Sequence, residues 1–258
     1  MLLYLLHTNK RMIKMGDTNF PELAFAKFIK KADQLNAPKS ILLYGDPKNG
    51  KTWLAASASE VEALSPVLLI DVEGGASAIA RDWRDVDVIN VESHQQLDQV
   101  LEGLITTEHK YKTVIIDTLG VAMDRAEKFF GEKPENKNNK FGKWGELKEW
   151  TNKTVRALHS APFLAILIAH AQDEKDEQTG AVKVMPMLPG SAKNTLPAIP
   201  DIIGYMTAEK TEDGVKRVLN LQSSDRLVSG NRFGLAPKLY EPTMKKIIDK
   251  INELGEVK

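Results

Sequence analysis

Gly45-Asp46-Pro47-Lys48-Asn49-Gly50-Lys51-Thr52 follows the apolar run Ile41-Leu42-Leu43-Tyr44. A glycine, four free positions and then Gly-Lys-Thr is the spacing of a P-loop. Its physical basis is that backbone N–H groups must curl round phosphate oxygens without side chains in the way, while the helix that follows points its positive end at them. Lys51 is placed to reach the β and γ phosphates, and the Thr52 hydroxyl to sit on Mg²⁺. The expected nucleotide segment is Gly45, Asp46, Pro47, Lys48, Asn49, Gly50, Lys51, Thr52 and Trp53, with ATP and Mg²⁺ as the ligands. A strand before it and a helical stretch from Trp53 to Leu64 after it supply the context that a chance match lacks.

Beyond the P-loop helix, Pro66 precedes Val67-Leu68-Leu69-Ile70-Asp71, a continuous apolar run of the kind buried on both faces of a parallel sheet. It ends in Val72-Glu73-Gly74-Gly75. Val86 to Val91 alternates like an edge strand, and His94 to Thr107 has helical spacing. Thr113-Val114-Ile115-Ile116-Asp117 has the form of a Walker B strand, where a carboxylate at the carboxyl end helps hold the magnesium shell. Thr52 and Asp117 are therefore the expected metal residues. Gly131 to Gly145 turns polar and lysine-rich and reads as a long loop, with Glu146 to His159 as a helix after it. Pro162 leads into Phe163 to His170, another buried strand. Asp173 to Gly180 reads as an acidic hairpin tip, Val182 to Met187 and Arg217 to Leu221 as later strands, Gly190 to Pro200 as a loop or short helix, and Glu241 to Leu254 as a closing amphipathic helix. Strands alternating with helices in this order predict an α/β fold with a mainly parallel central sheet flanked by helices.

The chain has 258 residues, 42% of them apolar, enough for one sizeable core. Residues 1–19 are expected to be an N-terminal extension, and 20–258 a single domain opening with a helix from Phe20 to about Leu35. Formal net charge is zero, so no global basic field draws the chain to a polyanion and any such contact must be local. There is no cysteine, which excludes disulfides, thiolate zinc sites and thiol nucleophiles and fits a reducing cytoplasm. The apolar Met1-Leu2-Leu3-Tyr4-Leu5-Leu6 is too short for a signal-peptide core or a membrane span.

Hydrolysis needs a water-activating base, and Thr118 stands where many P-loop ATPases carry a glutamate. Glu73 is the candidate, because it follows a buried strand and precedes two glycines that let the backbone stay close to a ligand. The alternative is a solvated glutamate at a strand end.

Together these segments resemble the RecA-type ATPase core, in which the glutamate lies at the end of the strand after the P-loop helix, as in Leu69-Ile70-Asp71-Val72-Glu73. The resemblance implies a second role. The family's strand after Walker B ends in a polar side chain that senses the γ phosphate, here His170, whose alternative is a strand-end cap. Ser229-Gly230-Asn231-Arg232-Phe233-Gly234-Leu235 is similar to the Lys-Asn-Arg-Phe-Gly motif of the RadA branch, with glycine at the lysine position. That likeness implies Arg232 as an arginine finger acting on a neighbouring subunit, against the alternative of an ordinary surface arginine. Lys51, Glu73, His170 and Arg232 make up the expected catalytic set.

Over Ser40 to Pro237 the chain resembles phage nucleotide-binding proteins of the single-strand annealing and recombinase type. Leu188-Pro189-Gly190-Ser191-Ala192-Lys193-Asn194 adds to the likeness. The resemblance implies an ATPase acting on single-stranded DNA in recombination or annealing, assembled as a homo-oligomer with shared ATP sites in the cytoplasm of a bacterial host, with a single-strand-binding protein as a candidate further partner whose need is left open. The loops after Asp117 and His170 should then face DNA. Lys137, Lys140, Phe141, Lys143 and Trp144 in the first, with a solvated loop or subunit contact as the alternative, and Lys183 and Lys193 beyond the acidic second loop are the expected contacts. The competing readings are a RadA-like or helicase-like DNA remodeller, a P-loop small-molecule kinase and a nucleotide-gated interaction module.

Overall fold

Apolar residues on both faces of five consecutive strand positions explain the centre of the molecule. β1 (Ser40–Gly45), β2 (Val67–Asp71), β4 (Thr113–Asp117) and the first half of β5 (Leu164–Lys175) are buried throughout. Successive side chains point to opposite faces: Ile41 and Leu43 enter one core layer and Leu42 and Tyr44 the other, and β5 divides in the same way. One layer is closed by α2 (His94–Thr106), α3 (Leu119–Glu132) and α4 (Gly142–Ser160). The other is closed by α1 (Lys51–Ala56) and α6 (Met244–Glu256). Replacing a fully buried residue at the sheet centre, such as Ile115, by alanine costs about 2–5 kcal/mol.

The computed structural model describes residues 37–256 apart from Ala80, Arg84, Asn138, Lys140, Asp176, Gln178, Thr179 and Asp213, with the backbone alone at Ala78 and Glu256. They belong to one compact unit, Asn36–Lys258. The expected extension over 1–19, the helix from Phe20 to Leu35 and Lys140 lie outside the described residues.

With β3 (Val86–Asn90), β6 (Val182–Pro186), β7 (Ile202–Thr211), β8 (Gly214–Asn220), β9 (Gly230–Asn231) and β10 (Lys238–Tyr240), the strand order is β10-β8-β7-β1-β5-β4-β2-β3. Every pair from β7 to β3 along that path is parallel. β8 and β10 extend the β7 side antiparallel, β6 pairs with β5 and β9 with β7. This is the expected mainly parallel sheet, with β3 at its edge.

Several expected boundaries move. The helix after the P-loop ends at Ala56 and continues as 3₁₀ turns over Ser57–Glu60 and Glu62–Leu64, because Ser57 and Ser59 donate their hydroxyls back to the carbonyls of Leu54 and Ala56. Gly131 to Gly145 is not one long loop. α3 runs to Glu132, Pro134–Asn136 forms a 3₁₀ turn and α4 begins at Gly142, its first turns pinned by Glu146 to Lys133 and Asn136 and by Lys143 to Glu127 at 2.7 Å. β5 continues past His170 to Lys175, so Asp173 and Glu174 are strand residues paired with Val184 and Lys183 rather than part of a hairpin tip. β7 is a strand with no counterpart among the sequence expectations. Its interior Gly204 is required by close approach, since a Cβ there would stand 2.4 Å from Leu219 Cδ1 on β8.

Candidate nucleotide site

Strand register alone brings the candidate residues to one edge of the sheet. Gly45 at the end of β1 is level with His170 on β5, and Asp71 at the end of β2 is level with Asp117 at the end of β4. These are carboxyl ends of parallel strands, where open α/β sheets hold ligands. A cleft of ≈ 870 Å³ opens there, lined by Lys51, Thr52, Glu73, Asp117, His170 and Arg217 among others.

The P-loop forms one wall. Pro47, Lys48, Gly50, Lys51, Thr52 and Trp53 line the cleft. Lys51 is buried and donates from Nζ to the carbonyls of Gly45 (2.9 Å) and Asp46 (2.8 Å), while Asn49 turns away and donates to Met206 O on β7 at 3.4 Å. Gly50 has φ +86° and caps α1, a left-handed conformation that glycine adopts without the steric penalty of a Cβ.

Thr52 Oγ1 donates to Asp117 Oδ2 at 2.5 Å, so the two residues expected at the metal already meet. Hard oxygen donors, few in number, are what Mg²⁺ takes from a protein when phosphates complete its shell. Among the described residues no cluster of three or more His, Asp or Glu offers an all-protein cage. Burial pushes the Asp117 carboxyl above its ordinary pKa, opposed by the Thr52 donor and reinforced by Glu73 and Asp71. Burial lowers the Lys51 ammonium, against the pull of Asp117 and Glu73. Carboxylates thus crowd around Asp117, and a bound dication would relieve that crowding.

Glu73 owes its position to Asp71. The Asp71 carboxylate accepts from the backbone N–H groups of Gly74 (2.7 Å), Gly75 (3.1 Å) and Ala76 (2.9 Å), and Glu73 N–H donates to Asp117 O at 3.2 Å. The turn is fixed on both sides, and the Glu73 side chain reaches His170, Oε1 to Nε2 at 3.1 Å. With its proton on Nε2 the imidazole donates to the carboxylate. His170 Nδ1 is buried with no partner among the described residues.

A family model described as the AAA domain matches residues 37–233. The chain belongs to the AAA-domain family. No curated protein matches it. Among solved structures, the AAA-domain chain is similar to the RadB recombinase, with a TM-score of 0.51 and 17% identity over 79% of this chain and 87% of that one. At that identity the likeness shows the fold, a RecA-like α/β core. No helix among the described residues is long and apolar enough to cross a membrane.

The other expected residues of this AAA-domain protein lie elsewhere. Arg232 donates from one guanidinium nitrogen to Asp201 Oδ1 (2.9 Å) and from the other to Ala198 O (3.2 Å). The Asp201 carboxylate in turn accepts from Lys39 N–H at 2.8 Å, so Arg232 sits at the amino end of β1, about 17 Å along the strand from its own P-loop by the rise per residue. Lys137 and Lys183 are exposed. Lys143 and Lys193 are paired, with Glu127 at 2.7 Å and Glu174 at 2.8 Å. Phe141, 84% exposed, precedes α4, and Trp144 lies in its first turn. Both line a small apolar recess with Pro189 and Gly190.

Two residues of the site escaped the sequence reading. Asp71 carried a signal, an aspartate at a strand end just before a glycine pair. Arg217 on β8 carried none, because a single arginine in an alternating strand has no motif.

Proposed function

We propose that this protein is a RecA-like ATPase that acts on single-stranded DNA in recombination or strand annealing, of the phage-encoded kind. The observation that carries the ATPase half is the meeting of Lys51, the Thr52–Asp117 pair and the Glu73–His170 pair in one cleft. Lys51 holds the β and γ phosphates. Thr52 and Asp117 would hold Mg²⁺, which when bound would supply positive charge to offset that developing on the phosphates. Glu73 accepts a proton from the attacking water as its oxygen bonds to the γ phosphorus. The bond from that phosphorus to the bridging oxygen breaks, giving ADP and phosphate. His170, hydrogen-bonded to Glu73, ties that event to the β5–β6 hairpin, whose strand it belongs to.

Phe141 and Trp144 offer exposed aromatic faces on which bases can stack, and Lys137 and Lys183 offer exposed charge. The similarity to a protein titled as a recombinase supports the same direction. The placement of Arg232, at the sheet edge opposite its own cleft, suits a finger that completes a neighbour's site in a homo-oligomer, once its pairing with Asp201 is exchanged for phosphate. The experiment is the ATPase rate with and without single-stranded DNA, alongside size analysis with a nonhydrolysable nucleotide. Stimulation by DNA and nucleotide-dependent assembly are expected. ATP turnover indifferent to DNA in a monomer would reject the DNA half and leave the ATPase standing.

A further inference from the structure

Arg217 occupies a position in the nucleotide cleft that neither the P-loop nor the expected finger accounts for. Its strand register explains how it arrives there. On β8, Leu219 is level with Met206 of β7, which is level with Gly45 of β1. Arg217 lies two residues further along and on the same face, so it overhangs the carboxyl edge on the side covered by α1. Leu219, Leu54 and Ala55 pack in that same layer.

The guanidinium lies directly over the P-loop. A Cβ added to Gly50 would stand 2.9 Å from Arg217 Nε and 3.1 Å from Cζ, and Cζ is 5.5 Å from the centre of the Trp53 ring. Main-chain bonds anchor the residue. Arg217 N–H donates to Glu241 Oε1 at 2.7 Å, and Glu241 N–H donates to Arg217 O at 2.8 Å. Arg81, which also lines the cleft, is neutralised by Asp82 at 2.9 Å. Arg217, in contrast, has no carboxylate within ion-pairing distance of its guanidinium among the described residues. A planar cation held over an indole face at cation–π distance has N–H donors to offer an anion.

We infer that Arg217 is an in-chain ligand of the nucleotide, donating to phosphate oxygens on the nucleoside side of those that Lys51 holds. The inference rests on the P-loop reading above. Its placement follows from its neighbours: the Thr52–Asp117 and Glu73–His170 pairs mark where Mg²⁺ and the γ phosphate are expected, and Arg217 lies instead over Gly50 and Trp53. Oxygens at that position are common to nucleoside di- and triphosphates. Arg217 should therefore contribute to both affinities alike.

The test is calorimetric binding of ADP and of a nonhydrolysable ATP analogue, each with Mg²⁺, to the wild type, Arg217→Ala and Arg217→Lys. Arg217→Ala should weaken both nucleotides by about the same factor, roughly tenfold or more for the loss of a charge-assisted hydrogen bond. Arg217→Lys, which keeps charge but not the planar fork, should fall between. It carries the test alone if the alanine variant fails to fold. Unchanged affinity for both nucleotides in a folded variant overturns the inference while leaving the P-loop reading intact. Loss confined to the triphosphate analogue overturns the placement. Failure of the wild type to bind either nucleotide overturns the P-loop reading itself.

Discussion

The imidazole of His170 and the carboxylate of Glu73 meet at 3.1 Å across 97 residues of chain. Two strands bring them together: β2 delivers Glu73 through a turn fixed by Asp71, and β5 carries His170 at the point where it leaves the main sheet for its hairpin. The carboxylate proposed to activate water is thus hydrogen-bonded to the first residue of a path toward the molecule's periphery.

Lys51→Ala should abolish tight triphosphate binding. The side chain is buried, bonded to two P-loop carbonyls and lines the cleft. A lost charge-assisted contact is worth about 1.5–3 kcal/mol, or roughly 10- to 150-fold in affinity. Titration with a fluorescent ATP analogue measures it, and wild-type affinity would reject the P-loop assignment.

Asp117→Asn should raise the unfolding midpoint of the nucleotide-free protein while lowering Mg²⁺-dependent binding. Burial raises the Asp117 pKa, so its favourable contribution is full below the ordinary carboxylate pKa and is lost as pH rises through the raised value. At pH 7 the buried charge opposes folding, and the amide removes it. A gain of about 1 kcal/mol corresponds to roughly 2–4 °C for a domain of this size. Differential scanning calorimetry at pH 7 checks the sign, and a lowered midpoint would contradict it.

His94 makes stability fall on mild acidification. It is enclosed by Phe129, Phe130 and Trp150. Burial depresses its pKa, opposed by Asp98 and assisted by Lys133. The unfolded chain therefore takes up the proton first. Stability is full above about 6.5, the unperturbed value, and declines as pH drops through it toward the depressed one. The slope is at most about 1.4 kcal/mol per pH unit. His94→Phe should flatten the dependence between pH 7.5 and 5.5 in urea melts, and an unchanged slope would locate the titration elsewhere.

Replacing Phe141 and Trp144 by alanine should weaken single-stranded DNA binding without altering ATP affinity. Base stacking on an aromatic is worth about 1–3 kcal/mol per base. Fluorescence anisotropy with a labelled oligonucleotide reads the loss. Equal DNA affinity in the double variant would remove the α4 face from the interface.

Much of this architecture is legible in the sequence, and the reason is burial. β1, β2, β4 and the start of β5 lie inside on both faces and must be continuous apolar runs, and the P-loop permits few alternatives at its glycines. What stayed hidden depends on partners remote in sequence. α4 begins at Gly142, with a second glycine at 145, both poor helix formers, and its start is secured by Lys133, Asn136 and Glu127 reaching across from α3 and the turn after it. β7 is half-buried and interrupted by Gly204, whose reason is Leu219. Arg217 is meaningful only because β7 and β8 set it over Gly50.

Glu73 is the proposed base that activates water, and ATP hydrolysis depends on it. Single-turnover hydrolysis of radiolabelled ATP by Glu73→Gln, with Mg²⁺ and saturating protein, tests it most directly. The expected result is wild-type ATP binding with hydrolysis slowed by at least about 10²-fold, the usual scale for losing a general base. Hydrolysis at the wild-type rate in that variant would contradict the assignment, even with every contact of the P-loop intact.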